Sequence, residues 1–123
     1  MTSDDFRSAL DRLGDGWATR DYKTVASHFG ERLHYSDAIN YCFRDKKSLV
    51  EFFEDDDGKP QSCKFHNAIF DESRQLGCAE YSYKGNFIYH GTVWIKVVDD
   101  KIVEWREYQH RSEKTWKEFW KDE

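Results

Sequence analysis

A basic stripe, a long apolar run and an even set of cysteines are all missing from this 123-residue chain. The formal net charge is -5, from 24 acidic and 19 basic residues, and no concentrated Lys/Arg surface of the kind a phosphate backbone requires can be traced along it. Nucleic acid is therefore excluded as a partner. No stretch approaches the apolar length of a membrane span, and the opening MTSDDF is acidic where a signal peptide is basic and then apolar. The expectation is a cytoplasmic protein without a membrane partner. Cys42, Cys63 and Cys78 show no CxxC spacing, which predicts three reduced thiols rather than a disulfide framework. No HExxH, HxH or Cys/His spacing marks a metal site, and EDDDG (Glu54 to Gly58) lacks the alternating ligands and distal Glu of a calcium loop. Neither metal nor cofactor is expected; His66 and His90 are left as shuttle candidates without a motif. Repeats, linkers and low-complexity segments are absent too.

What the chain has is aromatic rings. They make up 17% of a sequence that is 35% charged and has a mean hydropathy of -0.95. The apolar material thus sits in a few large side chains, which wall a cavity as readily as they fill a core. The length fits one domain, residues 1–123.

Thr2 and Asp5 match a capping box, after which Phe6, Leu10, Leu13 and Trp17 recur at helical spacing. Gly14 and Gly16 predict a kink there or a close approach to a neighbour. Asp21 caps a second short helix with Gly30 as its stop, and Asp45 caps a third carrying Leu49, Phe52 and Phe53. RLHYSDAINYCFR between them reads as a strand with an irregular return. After Pro60 come four long strands, CKFHNAIFDES, QLGCAEYSYKG, FIYHGTVWIKVV and KIVEWREYQHR. SEKTWKEFWKDE closes as a helix, with Trp116, Phe119 and Trp120 set to pack on the core, close a cavity mouth or join a dimer contact. Helices followed by a meander predict an α+β fold, with the helices on one face of a curved antiparallel or mixed sheet.

Strand alternation puts Val103, Trp105, Glu107 and Gln109 on one face. A carboxylate in phase with Val and Trp is either solvated, hydrogen-bonded to a neighbour such as Thr92, or placed in a pocket as an acid or base. A last hairpin turning on Asp99 and Asp100 pairs Trp94 with Trp105, Thr92 with Glu107 and His90 with Gln109. A turn at Gly85 and Asn86 then brings Tyr81 and Ala79 to the same face and Glu80 to the other, an assignment that one β-bulge reverses. Asp37, with Tyr35 two residues before it, is the second carboxylate of interest, as a general base facing Glu107 or as a turn cap. The catalytic candidates are Asp37, Glu107 and Tyr35; the ligand-binding candidates are Trp17, Phe53, Tyr81, Trp94, Trp105 and Gln109.

The segments from Trp17 to Asp21 (WATRD), HYSDA, DKKSLVEFF and DDKIVEWREY resemble, in order and spacing, the SnoaL-like members of the nuclear transport factor 2-like superfamily over nearly the whole chain. The resemblance implies a cone-shaped α+β domain, a mostly apolar pocket between sheet and helices, and homodimers through the sheet. Its relatives include ketosteroid isomerases, limonene-epoxide hydrolases, scytalone dehydratases, polyketide cyclases and binding proteins, so the fold alone does not choose a chemistry. Asp37 matches the isomerases' general base, Tyr35 and Asp37 the hydrolases' water-holding Tyr and Asn, and Glu107 a catalytic Asp of the hydrolases. The hydrolases' Arg-x-Asp falls near Glu80 and Ser82, without the Arg, and the isomerases' oxyanion Tyr falls near Leu13. The resemblance thus implies a pocket for a small apolar organic ligand, worked by acid/base chemistry on a carbonyl or epoxide compound. The alternatives are a non-catalytic binding module and an assembly domain with a filled cone.

Overall fold

The computed structural model describes residues 1–121; Asp122 and Glu123, the end of the expected last helix, lie outside them. The polar residues that start the helices cap them, although Asp5 does not return the second bond of a capping box to Thr2. Thr2 Oγ1 accepts the Asp5 N–H ahead of α1 (Ser3–Thr19), Asp21 accepts from Thr24 ahead of α2 (Tyr22–Ser27), and Asp45 accepts from Ser48 ahead of α3 (Lys46–Glu54). Each satisfies a donor that the helix's first turn leaves free.

Six strands follow or separate them: β1 (Phe29–Asp37), β2 (Cys42–Asp45), β3 (Ser62–Asp71), β4 (Leu76–Lys84), β5 (Ile88–Val98) and β6 (Lys101–Ser112). They form one sheet in the order β2-β1-β6-β5-β4-β3. β1 runs parallel to β6, and the other neighbours are antiparallel. Gly30 lies inside β1 rather than ending α2, whose cap is His28. The inner face of the sheet, with Ala79, Val93, Ile95, Val97, Ile102 and Trp105, is buried together with Phe6, Leu10, Leu13 and Trp17 of α1 and Leu49 and Phe53 of α3.

α1 runs through both glycines without a break. A Cβ on Gly14 would stand 2.6 Å from the Cys63 carbonyl oxygen of β3, and one on Gly16 would stand 2.7 Å from Cγ2 of Val25. Gly14 therefore sets how closely α1 approaches the sheet, and Gly16 how closely it approaches α2. Gly14→Ala is expected to destabilise the chain by about 1–3 kcal/mol, although alanine is the better helix former by about 1 kcal/mol. A urea midpoint that rose in the variant would contradict this contact.

The last hairpin turns on Asp99 and Asp100, both at positive φ, as expected. Its register changes on the way. Lys96 pairs with Glu104 but Val97 with Ile102, so Val103 is an extra residue in β6. This bulge moves every later pair by one: Ile95 faces Trp105, Val93 faces Glu107, Gly91 faces Gln109, and Trp94 pairs with Arg106 on the outer face. Trp94 is 42% exposed, and its expected place beside Trp105 is corrected. Ile102, which simple alternation sets on the face opposite Trp105, is buried with it on the inner face. Tyr81 nonetheless lies on the inner face, because β4 and β5 close through the three residues Gly85 to Phe87 instead of two. The two one-residue shifts cancel.

α4 (Trp116–Trp120) has no buried residue. Trp116 lies flat on His66 at 3.7 Å between centroids, and Phe119 stacks on His90 at 5.2 Å. The helix therefore sits on the outer face of the sheet. Packing on the core and closing a mouth are both corrected.

Candidate functional site

Between the inner face of the sheet and helices α1 and α3 lies a cavity of about 600 Å³. The cone is not filled. Its walls are rings: Trp17 from α1, Phe53 from α3, Tyr35 from β1, Phe65 from β3, Tyr81 from β4 and Trp105 from β6. These hold one another. Tyr35 stacks on Trp105 at 5.6 Å and 4° between planes, Trp17 meets Trp105 edge-on at 5.7 Å, and Phe53 meets Tyr35 edge-on at 5.7 Å. Such offset and T-shaped pairs add to the burial of the rings themselves.

Glu107 is part of this lining and is only 6% exposed. The indole N–H of Trp105 donates to its Oε1 at 2.8 Å, and the Tyr41 hydroxyl donates to Oε2 at 2.6 Å. The Tyr81 hydroxyl donates to Gln109 Oε1 at 2.5 Å and stands 3.5 Å from Glu107 Oε2. Burial raises the Glu107 pKa above its ordinary value; hydrogen bonds from Tyr41, Trp105 and Tyr35 hold part of the rise back, and the charge of Asp37 adds to it. Burial and the neighbouring Glu107 push the hydroxyls of Tyr35, Tyr41 and Tyr81 upward, so all three stay protonated as donors. The Cys63 thiol, also in the lining, is pushed up to about 12 by burial and by Glu107; a thiol so poorly ionised is no nucleophile.

Of the residues expected to bind ligand, Trp17, Phe53, Tyr81, Trp105 and Gln109 line the cavity, and Trp94 does not. Of the catalytic candidates, Glu107 and Tyr35 line it. Asp37 pairs with Glu107 across the parallel strands, yet its Oδ1 accepts the N–H groups of Ile39, at 2.8 Å, and Asn40, and its Oδ2 accepts from the Asn40 side chain at 3.1 Å. Burial works to raise its pKa, but these donors together lower it. Asp37 thus caps the turn between β1 and β2, outside the lining. That turn, closed by the Asp37 N–H to the Tyr41 carbonyl at 3.1 Å, leaves Tyr41 bonded to Glu107. Tyr41 is a site residue that sequence reading missed, as are Phe65, Gln61 and Tyr83. The signal for Tyr41 was the D-x-x-N turn itself, which determines where the following aromatic stands.

A second polar chain stands nearer the mouth. Tyr83 donates to Gln61 Oε1 at 2.7 Å, Gln61 donates to Tyr22 at 3.0 Å, and Tyr22 donates to Asp56. Asp56 also takes the Arg20 Nε at 3.1 Å. His66 and His90 are outside the cavity, both 2.8 Å from Ser82 Oγ, and His90 Nε2 is 2.8 Å from the Lys114 carbonyl. Among the described residues no group of His, Cys, Asp and Glu is placed to hold a metal. All three cysteines are free, and among the described residues no helix is long and apolar enough to cross a membrane.

No family model and no curated protein matches the chain. Solved structures do match. An LEH-like epoxide hydrolase from M. tuberculosis is 17% identical, with 84% of this chain and 80% of that one covered at a TM-score of 0.71. A nuclear transport factor 2-like protein of unknown function from Cytophaga hutchinsonii is 10% identical over 85% and 88%, also at 0.71. A protein with the ketosteroid isomerase-like fold from Catenulispora acidiphila, in complex with trimethylamine, is 13% identical over 81% and 83%, again at 0.71. At such identities the likeness establishes architecture and not chemistry. The chain therefore has the nuclear transport factor 2-like fold, in agreement with the family its motifs resemble.

Proposed function

We propose that this chain is a small-molecule pocket protein in which Glu107 acts as the acid/base group on a small, largely apolar carbonyl or epoxide compound, by isomerase, hydratase or hydrolase chemistry. The observation that carries the reading is a carboxyl 6% exposed in an open, ring-walled cavity. Burial raises the pKa of such a group, which suits it to give a proton to a substrate and take one back. The Tyr41 hydroxyl fixes one of its oxygens and Trp105 the other, while Tyr35, on the same wall, orients a substrate oxygen. Asp37 contributes through its charge across the strand pair. The relatives' names, an epoxide hydrolase and an isomerase-like protein with a bound amine, support a small organic ligand.

Trp17 and Trp105 both wall the cavity, so their fluorescence reports occupancy. A panel of small ketones and epoxides is expected to give saturable quenching and a product. Quenching without product would make the chain a binding module, and no quenching by any member would sink the reading.

We also propose that two copies pair through the outer face of the sheet. There Ile69 is 78% exposed, Trp94 42% and Tyr108 50%. Ile69, Cys78, Trp94 and Arg106 form one row across four strands. Clustered apolar residues of this kind mark a contact surface. Sedimentation is expected to give a dimer and Trp94→Glu a monomer; a monomeric wild-type chain at 100-fold or more above about 1 μM would contradict the pairing.

A further inference from the structure

We propose that the carbonyl or epoxide compound taken by this cavity also carries a positively charged nitrogen, an ammonium on its apolar body, seated against Glu107 among the tyrosine and tryptophan rings. The proposal rests on the reading of the cavity as a small-molecule site and names the class of molecule it takes.

A buried carboxyl in a protein either stays neutral or ionises beside a cation or a metal. Glu107 has no such cation beside it. Its partners are the indole of Trp105 and the hydroxyls of Tyr41 and Tyr35, with Tyr81 at 3.5 Å. None of the ion pairs among the described residues includes it. Lys59 is the only Lys or Arg in the lining and is exposed. Arg20 is committed to Asp56 and to the Lys59 carbonyl. Burial favours its protonated form, and a cationic ligand supplies the partner that an ionised Glu107 lacks.

The walls suit that charge. A cation is attracted to the negative face of an aromatic ring, most strongly where water is excluded, and Tyr35, Tyr41, Tyr81, Trp17 and Trp105 all border the space. The lining also holds Asp55, Asp56 and Asp57, all exposed. Arg20 balances Asp56, while Asp57 takes only uncharged donors, the Lys59 N–H and the Asn86 amide. An approaching anion meets repulsion there, and a cation is drawn in. An amine that arrives neutral takes the proton of the Glu107 carboxyl: the O–H bond breaks, the N–H bond forms, and an ion pair remains. A quaternary ammonium takes no proton, and that of Glu107 leaves to solvent.

Phenyltrimethylammonium and tert-butylbenzene have the same shape and differ in one charge, so their quenching of wild-type tryptophan fluorescence at pH 8 isolates it. The expected result is about tenfold or more tighter binding of the ammonium. In Glu107→Gln, its fold checked by circular dichroism, that preference is expected to disappear while tert-butylbenzene binds within about twofold of wild type. The exposed pair Asp55→Asn and Asp57→Asn is expected to retain most of the preference; its loss there would move the charge to the rim and overturn the placement at Glu107. Equal affinities, or tighter tert-butylbenzene, would overturn the ammonium and leave the cavity reading standing. If neither probe binds, both fall.

Discussion

Glu107→Gln is expected to lower turnover of any substrate of this cavity by about 100-fold or more and to leave the chain at neutral pH at least as stable as wild type. The two effects have one cause. In the unfolded chain a glutamate ionises near its ordinary value of 4.5, whereas in the fold burial delays ionisation to higher pH. The protonated form is the one the fold favours, so wild-type stability is fully present below the unfolded pKa and is lost as pH rises through the folded one, by about 1.4 kcal/mol for each unit between them. Glutamine carries no such dependence. Its oxygen accepts from Trp105 and its amide donates to Tyr41, whose hydroxyl oxygen accepts. Urea melts of the two chains are expected to agree near pH 4 and to diverge by pH 8 in favour of the variant. A variant that lost stability at pH 8 while keeping turnover would reverse the assignment and make Glu107 a structural carboxylate.

Trp105→Ala is expected to cost about 3–5 kcal/mol. The ring is 2% exposed and stacks against or abuts Tyr35, Trp17, Phe29 and Phe65. Its loss joins a new void to the existing cavity and takes a donor from Glu107, a further penalty of about 1–3 kcal/mol where the group stays dry. Thermal midpoints are expected to fall by about 10–20 °C. Trp105→Phe keeps most of the ring and removes only the N–H; it is expected to recover most of the midpoint while raising the Glu107 pKa further. A small loss in Trp105→Ala would mean that the wall is held by the remaining rings alone.

The helix starts were legible because their signals are local: Thr2, Asp21 and Asp45 each bond a backbone N–H three residues on. The strands after Pro60 were legible from their residue types and the turns between them. Register was not. The extra residue at Val103 and the three-residue turn at Gly85 to Phe87 leave no mark in the alternation of polar and apolar residues, because each depends on how the whole sheet curves. One moved Trp94 outside; both together returned Tyr81 to the inner face. The placement of Glu107 survived because it lies in β6 itself, in phase with Trp105 two residues earlier, so no error in a neighbouring strand reaches it. Asp37 was ambiguous for a physical reason: the same carboxylate serves as base or as turn acceptor, and only the donors of Ile39 and Asn40 decide which. Tyr41 needed that turn before its position was defined.

The most direct test of the account is the carboxyl carbon resonance of Glu107, followed against pH by nuclear magnetic resonance and assigned with Glu107→Gln. A single transition above the ordinary glutamate value of 4.5 is expected. A transition at or below that value would show a carboxylate held ionised by Tyr41 and Trp105, and would contradict its role as the cavity's acid/base group.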